Sequence, residues 1–452
     1  MDSIDEPTST TEILNSIVAD IDSERVEQLS SKLDELHPSE TANLLESLPP
    51  EKRKVLWSII PEGQQGEILT VMRDEARTAI IDNMEQSQLV TAVGAMTPNE
   101  MAEVLEELPN DLSDTILQAL DEDHRKRLDT ALSYEEKTVG RIMSTDVISV
   151  RQNVTLAVVL RWLRRHLNLP QHTDALIVID EDNHFLGKLH LSDVVTGDSD
   201  AIVEDVMRSD ANSIRASSSI NELVALFERR DLISVAVLDD SDHLLGRITI
   251  DDVVDIIREN ADAALLKSAG LKEEQDLFSP IIPSAKQRGI WLGLNLITVF
   301  FAAWVIGQFE EVLDEIVALA VLMPIVASMG GIAGSQTLTL TIRGLALDQI
   351  ANSNIRWLTI KEIAVGGLNG LVWAITVAIV TFAWFDDQGI AIIIAVAMVL
   401  NLLAASISGV IIPLVLDHMG IDPALSGAVI LTTITDVIGF LSFLGLASLY
   451  LL

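Results

Sequence analysis

Five long apolar runs dominate the last third of the chain. Gly289–Gly307 gives 19 residues without a charge, Ile316–Ile342 gives 27, Ile363–Phe385 gives 23 and Gln388–Leu416 gives 29. Ala424–Leu452 adds 29 residues with one charge. Crossing the hydrocarbon of a bilayer takes about 20 apolar residues in a helix, so each run predicts a membrane span. Upstream the pattern changes twice. From Ile13 to Leu132 apolar positions recur at helical spacing in short segments separated by Pro turns, which predicts an all-α region. Between Ile142 and Ile257 short apolar runs alternate with helical stretches, which predicts a mixed α+β region. Residues 1–12 carry no such pattern and are expected to be disordered.

Both soluble regions contain an internal duplication. Leu36–Pro49 aligns with Met96–Pro109 at an offset of 60, with seven of fourteen positions identical. Helix pairs repeated in this way usually stack into a small superhelix, and each Pro falls where a first helical turn tolerates it. Further on, Ile142–Arg151 resembles Val206–Arg215. Phe185–Val195 likewise matches Leu244–Val254. Each unit reads as strand, helix, strand, a turn ending in Gly, strand and helix start. This order, with both duplicated ends, resembles a tandem pair of CBS domains over roughly 142–257. In such modules a Thr and an Asp commonly hold the ribose of an adenine nucleotide. The resemblance puts them at Thr249 and Asp252, with ATP as the candidate ligand, while the first unit has His190 in place of that Thr. Packing alone would also explain Gly246 and a helix N-cap at Asp251 or Asp252.

Charge divides the chain in the same way. Residues 286–452 hold five basic and eleven acidic residues, net −6, leaving −31 of the total −37 on residues 1–285. Phosphate binding needs clustered Lys and Arg, so nucleic acid is excluded as a partner. The acidity suits a surface that attracts cations, although solubility alone would also account for it. No cysteine is present, which removes disulfides and thiolate metal sites. The first twelve residues lack the basic and apolar stretches of a cleavable signal. Lys286 and Arg288 precede the first run, and Arg343, Arg356 and Lys361 separate the second from the third. Acidic residues follow the first and third runs. The positive-inside rule then predicts a multi-pass protein of the cell membrane, with the acidic region in the cytoplasm and Leu452 outside.

Asp436 is the one ionisable residue of the last run. An Asp at a spanning-helix centre costs roughly 2.5–3.5 kcal/mol on insertion scales, and a cation, a partner charge or water must offset it. A protonated Asp bonded to a nearby carbonyl is the plainer reading. Thr432, Thr433 and Thr435 add hydroxyl oxygens within a turn. Two copies of Asp436 about a dimer axis would neutralise one divalent ion, and hard oxygen ligands favour Mg²⁺ or Ca²⁺. The second run contains Pro324, Gly330, Gly331, Gly334 and Gln336. Pro and Gly at this density can free carbonyls that line a polar cavity, whereas Gly alone more often marks close helix packing.

Pro324, Gly330–Gln336, Arg343, Ile421–Ala424 and Thr435–Gly439 together resemble the MgtE family of magnesium channels, and the likeness covers almost the whole chain. It implies a homodimer passing Mg²⁺ down its gradient, closed by its cytoplasmic domains when internal Mg²⁺ is plentiful. The architecture it implies is an α-helical domain (13–135), two CBS domains (136–200 and 201–257), a connecting helix with linker (258–285) and a five-span transmembrane domain (286–452). Asp436 becomes the pore ligand and Asp422 lies at the cytoplasmic mouth. Thr432, Gly330, Gly331, Gly334 and Gln336 line the path. The family usually reads Gly-Gly-Asn where this chain has Ile332, so a polar pore contact is lost or rearranged. Asp255, Glu259 and Asp262 share a face of the connecting helix, where bound Mg²⁺ would bridge to Asp422. Glu106 and Asp121 are candidate sensors. Two other readings compete. One is exchange of a divalent ion for Na⁺ or H⁺. The weaker is an intramembrane enzyme, for which no catalytic pair is visible.

Overall fold

The computed structural model describes residues 10–23, 25–108, 110–120, 122–165, 169–170, 172–271, 276–347, 349–351 and 353–451. The chain forms two compact units. One runs to Ala261 and takes in a short segment ending at Ser279; the other holds the remaining residues from Asp262 onward.

The first unit begins with ten short helices: α1 (Thr10–Asp22), α2 (Val26–Asp34), α3 (Pro38–Glu46), α4 (Pro50–Trp57), α5 (Glu62–Thr70), α6 (Asp74–Ile81), α7 (Gln86–Gly94), α8 (Pro98–Glu107), α9 (Asn110–Ala119) and α10 (Glu122–Leu132). The internal repeat has a local cause. Its shared Pro and Glu start α3 and α8. Pro sits in the first turn of each, and Glu40 and Glu100 accept from the backbone N–H of His37 and Thr97 at 2.8 and 2.6 Å. These are capping boxes, which satisfy backbone donors a helix start leaves orphaned. One core runs through the stack, from Ile17 through Leu45, Leu69 and Val93 to Leu128.

Two α/β repeats follow. The first comprises α11 (Val139–Ile142), β1 (Ser149–Arg151), α12 (Leu156–Arg165), β2 (Ala175–Ile179), β3 (Phe185–His190) and α13 (Leu191–Thr196). The second comprises α14 (Val203–Val206), β4 (Ser213–Arg215), α15 (Ile220–Arg230), β5 (Ser234–Leu238), β6 (Leu244–Thr249) and α16 (Ile250–Ser268). Each sheet has its middle strand paired parallel on one side and antiparallel on the other. β2 and β5 are buried along their whole length, which is why they read as unbroken apolar runs. The two sheets meet through Ile177, Ile179, Ala236 and Leu238.

Two local expectations are corrected here. Gly187 and Gly246 do not end the turns but lie inside β3 and β6. They are glycine because another stretch of backbone approaches. A Cβ on Gly246 would stand 2.6 Å from the Ser144 carbonyl oxygen, and one on Gly187 would stand 2.4 Å from that of Arg208. The N-cap position also falls two residues before the earlier of the two expected ones. α16 starts at Ile250, and Asp252 accepts from both the backbone N–H and the hydroxyl of Thr249 at 3.0 Å.

The segment before the first span belongs to the first unit. Asp276 meets Arg53 at 2.6 Å with both side chains almost wholly buried. Arg53 also donates to the carbonyls of Leu45 and Leu48 at 2.9 and 3.2 Å. Glu75 accepts from the Asp276 backbone N–H at 2.6 Å and from the Ser279 hydroxyl at 2.5 Å. Removing one partner of such a buried pair leaves an uncompensated charge, which is the costly event.

In the second unit five helices are long and apolar enough to cross a membrane: α17 (Ile281–Gly307), α19 (Val317–Ala346), α20 (Ile355–Phe385), α21 (Gln388–His418) and α22 (Pro423–Tyr450). A short α18 (Glu310–Glu315) joins the first two. α21 is the most buried and packs against α19, α20 and α22, while α17 lies against α22. α17 and α20 start eight residues before the uncharged runs that predicted them, so Lys286, Arg288, Arg356, Lys361 and Glu362 are helical.

Gly246→Ala should destabilise the paired α/β repeats by about 1–3 kcal/mol, the usual cost of forcing atoms into a packed site. A lowered thermal midpoint of the detergent-solubilised protein checks this.

Candidate functional site

Asp436 stands midway along α22, half-buried, at a cavity of about 180 Å³ lined by Asn295, Thr298, Val299, Thr432, Thr433 and Asp436. That space holds a cation with several waters. Three hydroxyls on its wall already spend their hydrogens inside their own helices. Thr298 donates to the Asn295 carbonyl at 2.7 Å, Thr433 to Val429 at 2.7 Å, and Thr432 to Ala428 and Val429 at 3.1 and 3.0 Å. Their oxygens keep only lone pairs to offer. Among the described residues the Asp436 carboxylate has no hydrogen-bond donor or cationic partner. A carboxylate beside three acceptor oxygens is a lining that attracts a cation.

The α19 candidates distribute by face. The helix is continuous through Pro324. A Cβ on Gly330 would strike the Asn401 side chain, and one on Gly334 would strike Leu431, so both lie where helices come closest. Gly331 has open space beside it, and Ile332 and Gln336 are exposed. Asn401 is fully buried and donates to the Val326 carbonyl at 2.8 Å, with its Oδ1 unpartnered among the described residues.

Asp422 caps α22 by accepting from Ala424 N–H at 2.9 Å. The Lys267 ammonium, in the last turn of α16, lies 3.1 Å from the same carboxylate. Further up α16, Glu259 has charged neighbours in the ten-helix stack. Its side chain is exposed, yet desolvation by the surrounding protein, then the carboxylates of Glu103, Asp74 and Asp255, push it up to about 7, while Arg77 opposes them. Arg77 is buried and contacts Asp74 at 2.6 Å and Glu103 at 3.0 Å. Asp262 lies on the same helix. Asp121 and the side chain of Glu106 lie outside the described residues. Burial is also the first cause that raises the Asp252 carboxyl above its ordinary value.

Sequence reasoning passed over Asn295, Thr298, Asp74, Glu103 and Glu362. The first two carried a usable signal: an Asn in a span is expensive, and a Thr three positions on shares its helix face. Glu362 is 4 % exposed in α20 and pairs with Lys361 at 2.5 Å and the Thr337 hydroxyl at 3.1 Å. It bounded an uncharged run and was therefore counted as loop. Nothing local distinguishes Asp74 or Glu103 from other surface acids.

Five spanning helices, a duplicated CBS-like module and an unpaired acid facing hydroxyl oxygens define a multi-pass membrane transporter of cations. Comparison with known proteins agrees. Residues 323–446 match the MgtE family model, described as a divalent cation transporter; residues 36–137 match the MgtE intracellular N domain, and 139–199 and 203–259 match CBS domains. A magnesium transporter MgtE of Bacillus subtilis is 25% identical over 94% of this chain and 95% of its own. One from Thermus thermophilus is 27% identical over the same shares. The cytosolic domain of the Mg²⁺ channel MgtE, solved in complex with ATP, superposes with a TM-score of 0.50 at 24% identity. It covers 54% of this chain and 99% of that one. The chain belongs to the MgtE family.

With the Glu259 carboxyl raised, the native state binds the extra proton between about 4.5 and about 7. Stability should therefore fall as pH rises through that window. Glu259→Gln should remove this loss, so that thermal midpoints of mutant and wild type, measured at low divalent concentration, diverge as pH rises from about 4.5 to about 7.

Proposed function

We propose that this protein passes Mg²⁺ across the cell membrane through a path at Asp436, and that internal Mg²⁺ closes it. The observation that carries the reading is the unpaired carboxylate at a cavity with three hydroxyl oxygens on its wall. Mg²⁺ keeps much of its water, and a wall of acceptors suits a hydrated ion because the waters can donate to it. A second copy of the chain would bring a second Asp436, whose charge completes neutralisation of a divalent ion. Gly331 and Gln336 on the open face of α19, with Thr432 on α22, are the residues we assign to the path alongside Asp436. Gly330 and Gly334 then act by holding α19 close to α21 and α22.

Closure follows from the acidity of the first unit. Asp74, Glu103 and Asp255 act on Glu259 against the single cation Arg77, which contacts Asp74 and Glu103, so negative charge exceeds positive beside Glu259. A divalent ion bound there favours the docked arrangement over a splayed one. It shifts the population in proportion to its differential affinity. Asp255, Glu259 and Asp262 would contribute the helix side of such sites, with Asp422 at the cytoplasmic mouth. By the positive-inside rule the positive loops support a cytoplasmic first unit and an outward Leu452. Thr249 and Asp252 fit a nucleotide contact, since Asp252 keeps its Oδ1 free of partners among the described residues.

Asp436→Ala should abolish Mg²⁺ uptake into proteoliposomes while the protein still elutes as the wild-type oligomer; retained uptake rejects the path. Currents that run without a Na⁺ or H⁺ gradient separate a channel from an exchanger.

Deleting residues 1–132 should weaken inhibition by internal Mg²⁺ by tenfold or more, about 1.4 kcal/mol of closed-state preference. Unchanged Mg²⁺ sensitivity in patch recordings would count against the sensor.

A further inference from the structure

α17 turns a polar pair towards the site. Asn295 and Thr298 lie on one face, three residues apart, and both line the cavity of Asp436. Their surroundings in α17 are apolar: Leu292, Leu294, Leu296, Ile297, Val299 and Phe300. Among the described residues the Asn295 carboxamide makes no hydrogen bond. An unbonded amide in a spanning helix is costly to bury in an apolar setting, so water or an ion must meet it. The Thr298 hydrogen is committed to the Asn295 carbonyl, leaving its oxygen as an acceptor. Across the cavity stand Thr432, Thr433 and the unpaired Asp436 carboxylate. On α19 the exposed Ile332 offers no polar atom, and the exposed Gln336 stands one turn further on.

We propose that Asn295 and Thr298 are specificity-determining residues: their oxygens hold the water shell of the divalent ion at Asp436, making α17 a wall of the path. The inference rests on the reading of Asp436 as the ion's site. A hydrated hard ion needs acceptors placed around its shell rather than one strong ligand. With Ile332 on α19, α17 provides acceptors on the side facing α22. Asn295 can turn its carbonyl to the shell and adapt to ions of slightly different size, whereas Thr298 is fixed by its bond to the backbone.

The test uses the full-length protein in proteoliposomes, with Mg²⁺ alone and with Mn²⁺ or Ca²⁺ as competitor. Thr298→Val keeps the shape and removes the oxygen. It should reduce Mg²⁺ flux about tenfold, what losing one charge-assisted contact costs, and change the Mg²⁺/Ca²⁺ ratio. Thr298→Ser should restore flux to within about twofold of wild type. Asn295→Asp adds charge at the shell and should lower the half-saturating Mg²⁺ concentration several-fold. Wild-type rate, half-saturation and ion preference in both Thr298→Val and Asn295→Asp overturn the inference. Equal losses in Thr298→Val and Thr298→Ser, with ion preference unchanged, also overturn it, because they indicate packing. Asp436→Asn in the same vesicles separates the two levels. If it transports normally, the assignment of the site itself fails. If it is inactive while the α17 variants are normal, only the present inference fails.

Discussion

Everything in the second unit is arranged around one constraint: a carboxylate in a spanning helix with no basic side chain on its cavity wall. The lining of Asn295, Thr298, Thr432 and Thr433 contains no Lys or Arg. The nearest solutions open to proteins, an ion pair or a buried hydrogen bond, are thus not taken. The contrast with Glu362 is instructive. That acid is almost completely buried, yet it has Lys361 and the Thr337 hydroxyl as partners, and it therefore ties α20 to α19. Two acids in spanning helices thus differ by what surrounds them. One is satisfied and joins helices; the other has no protein partner among the described residues.

The first unit is governed by the same arithmetic with stronger screening from solvent. Its net charge works against compactness, and where the helices of the stack face α16 the acids outnumber the one buried arginine. Desolvation first, and that excess after it, raise the Glu259 carboxyl. Elsewhere the opposition is resolved by pairing. Arg53 and Asp276 close one such contact, and Lys188, held at the Ser234 carbonyl at 2.5 Å, closes another between the two sheets, its ammonium brought down to about 8 by burial.

The architecture was legible because its signals are local. Apolar runs longer than a bilayer is thick can hardly be anything but spans, and two duplications announced the superhelix and the paired sheets. Asp436 was legible for the same reason, as a lone charge in such a run. What escaped notice depends on neighbours far away in sequence. Glu362 was lost because counting uncharged residues stops at any charge, paired or not. Gly246 looked like a turn residue until Ser144 was seen pressing on it. Asp74 and Glu103 acquire meaning only beside Glu259, more than 150 positions further on. The Asn295–Thr298 pair was readable in principle, from spacing and cost alone.

The helical repeat has a further consequence. Position 43 in the first copy corresponds to position 103 in the second. Asn43 lies with Glu46 and Ser47 in a pocket that also contains Asp276, Leu277 and Phe278, whereas Glu103 stands near Glu259. The two copies thus grasp the same stretch of chain at two points, before and after its helix ends, like two hands on one rope. A neutral amide at this position in one grip and an acid in the other make the hands unequal: here only the second adds a charge that ions can answer.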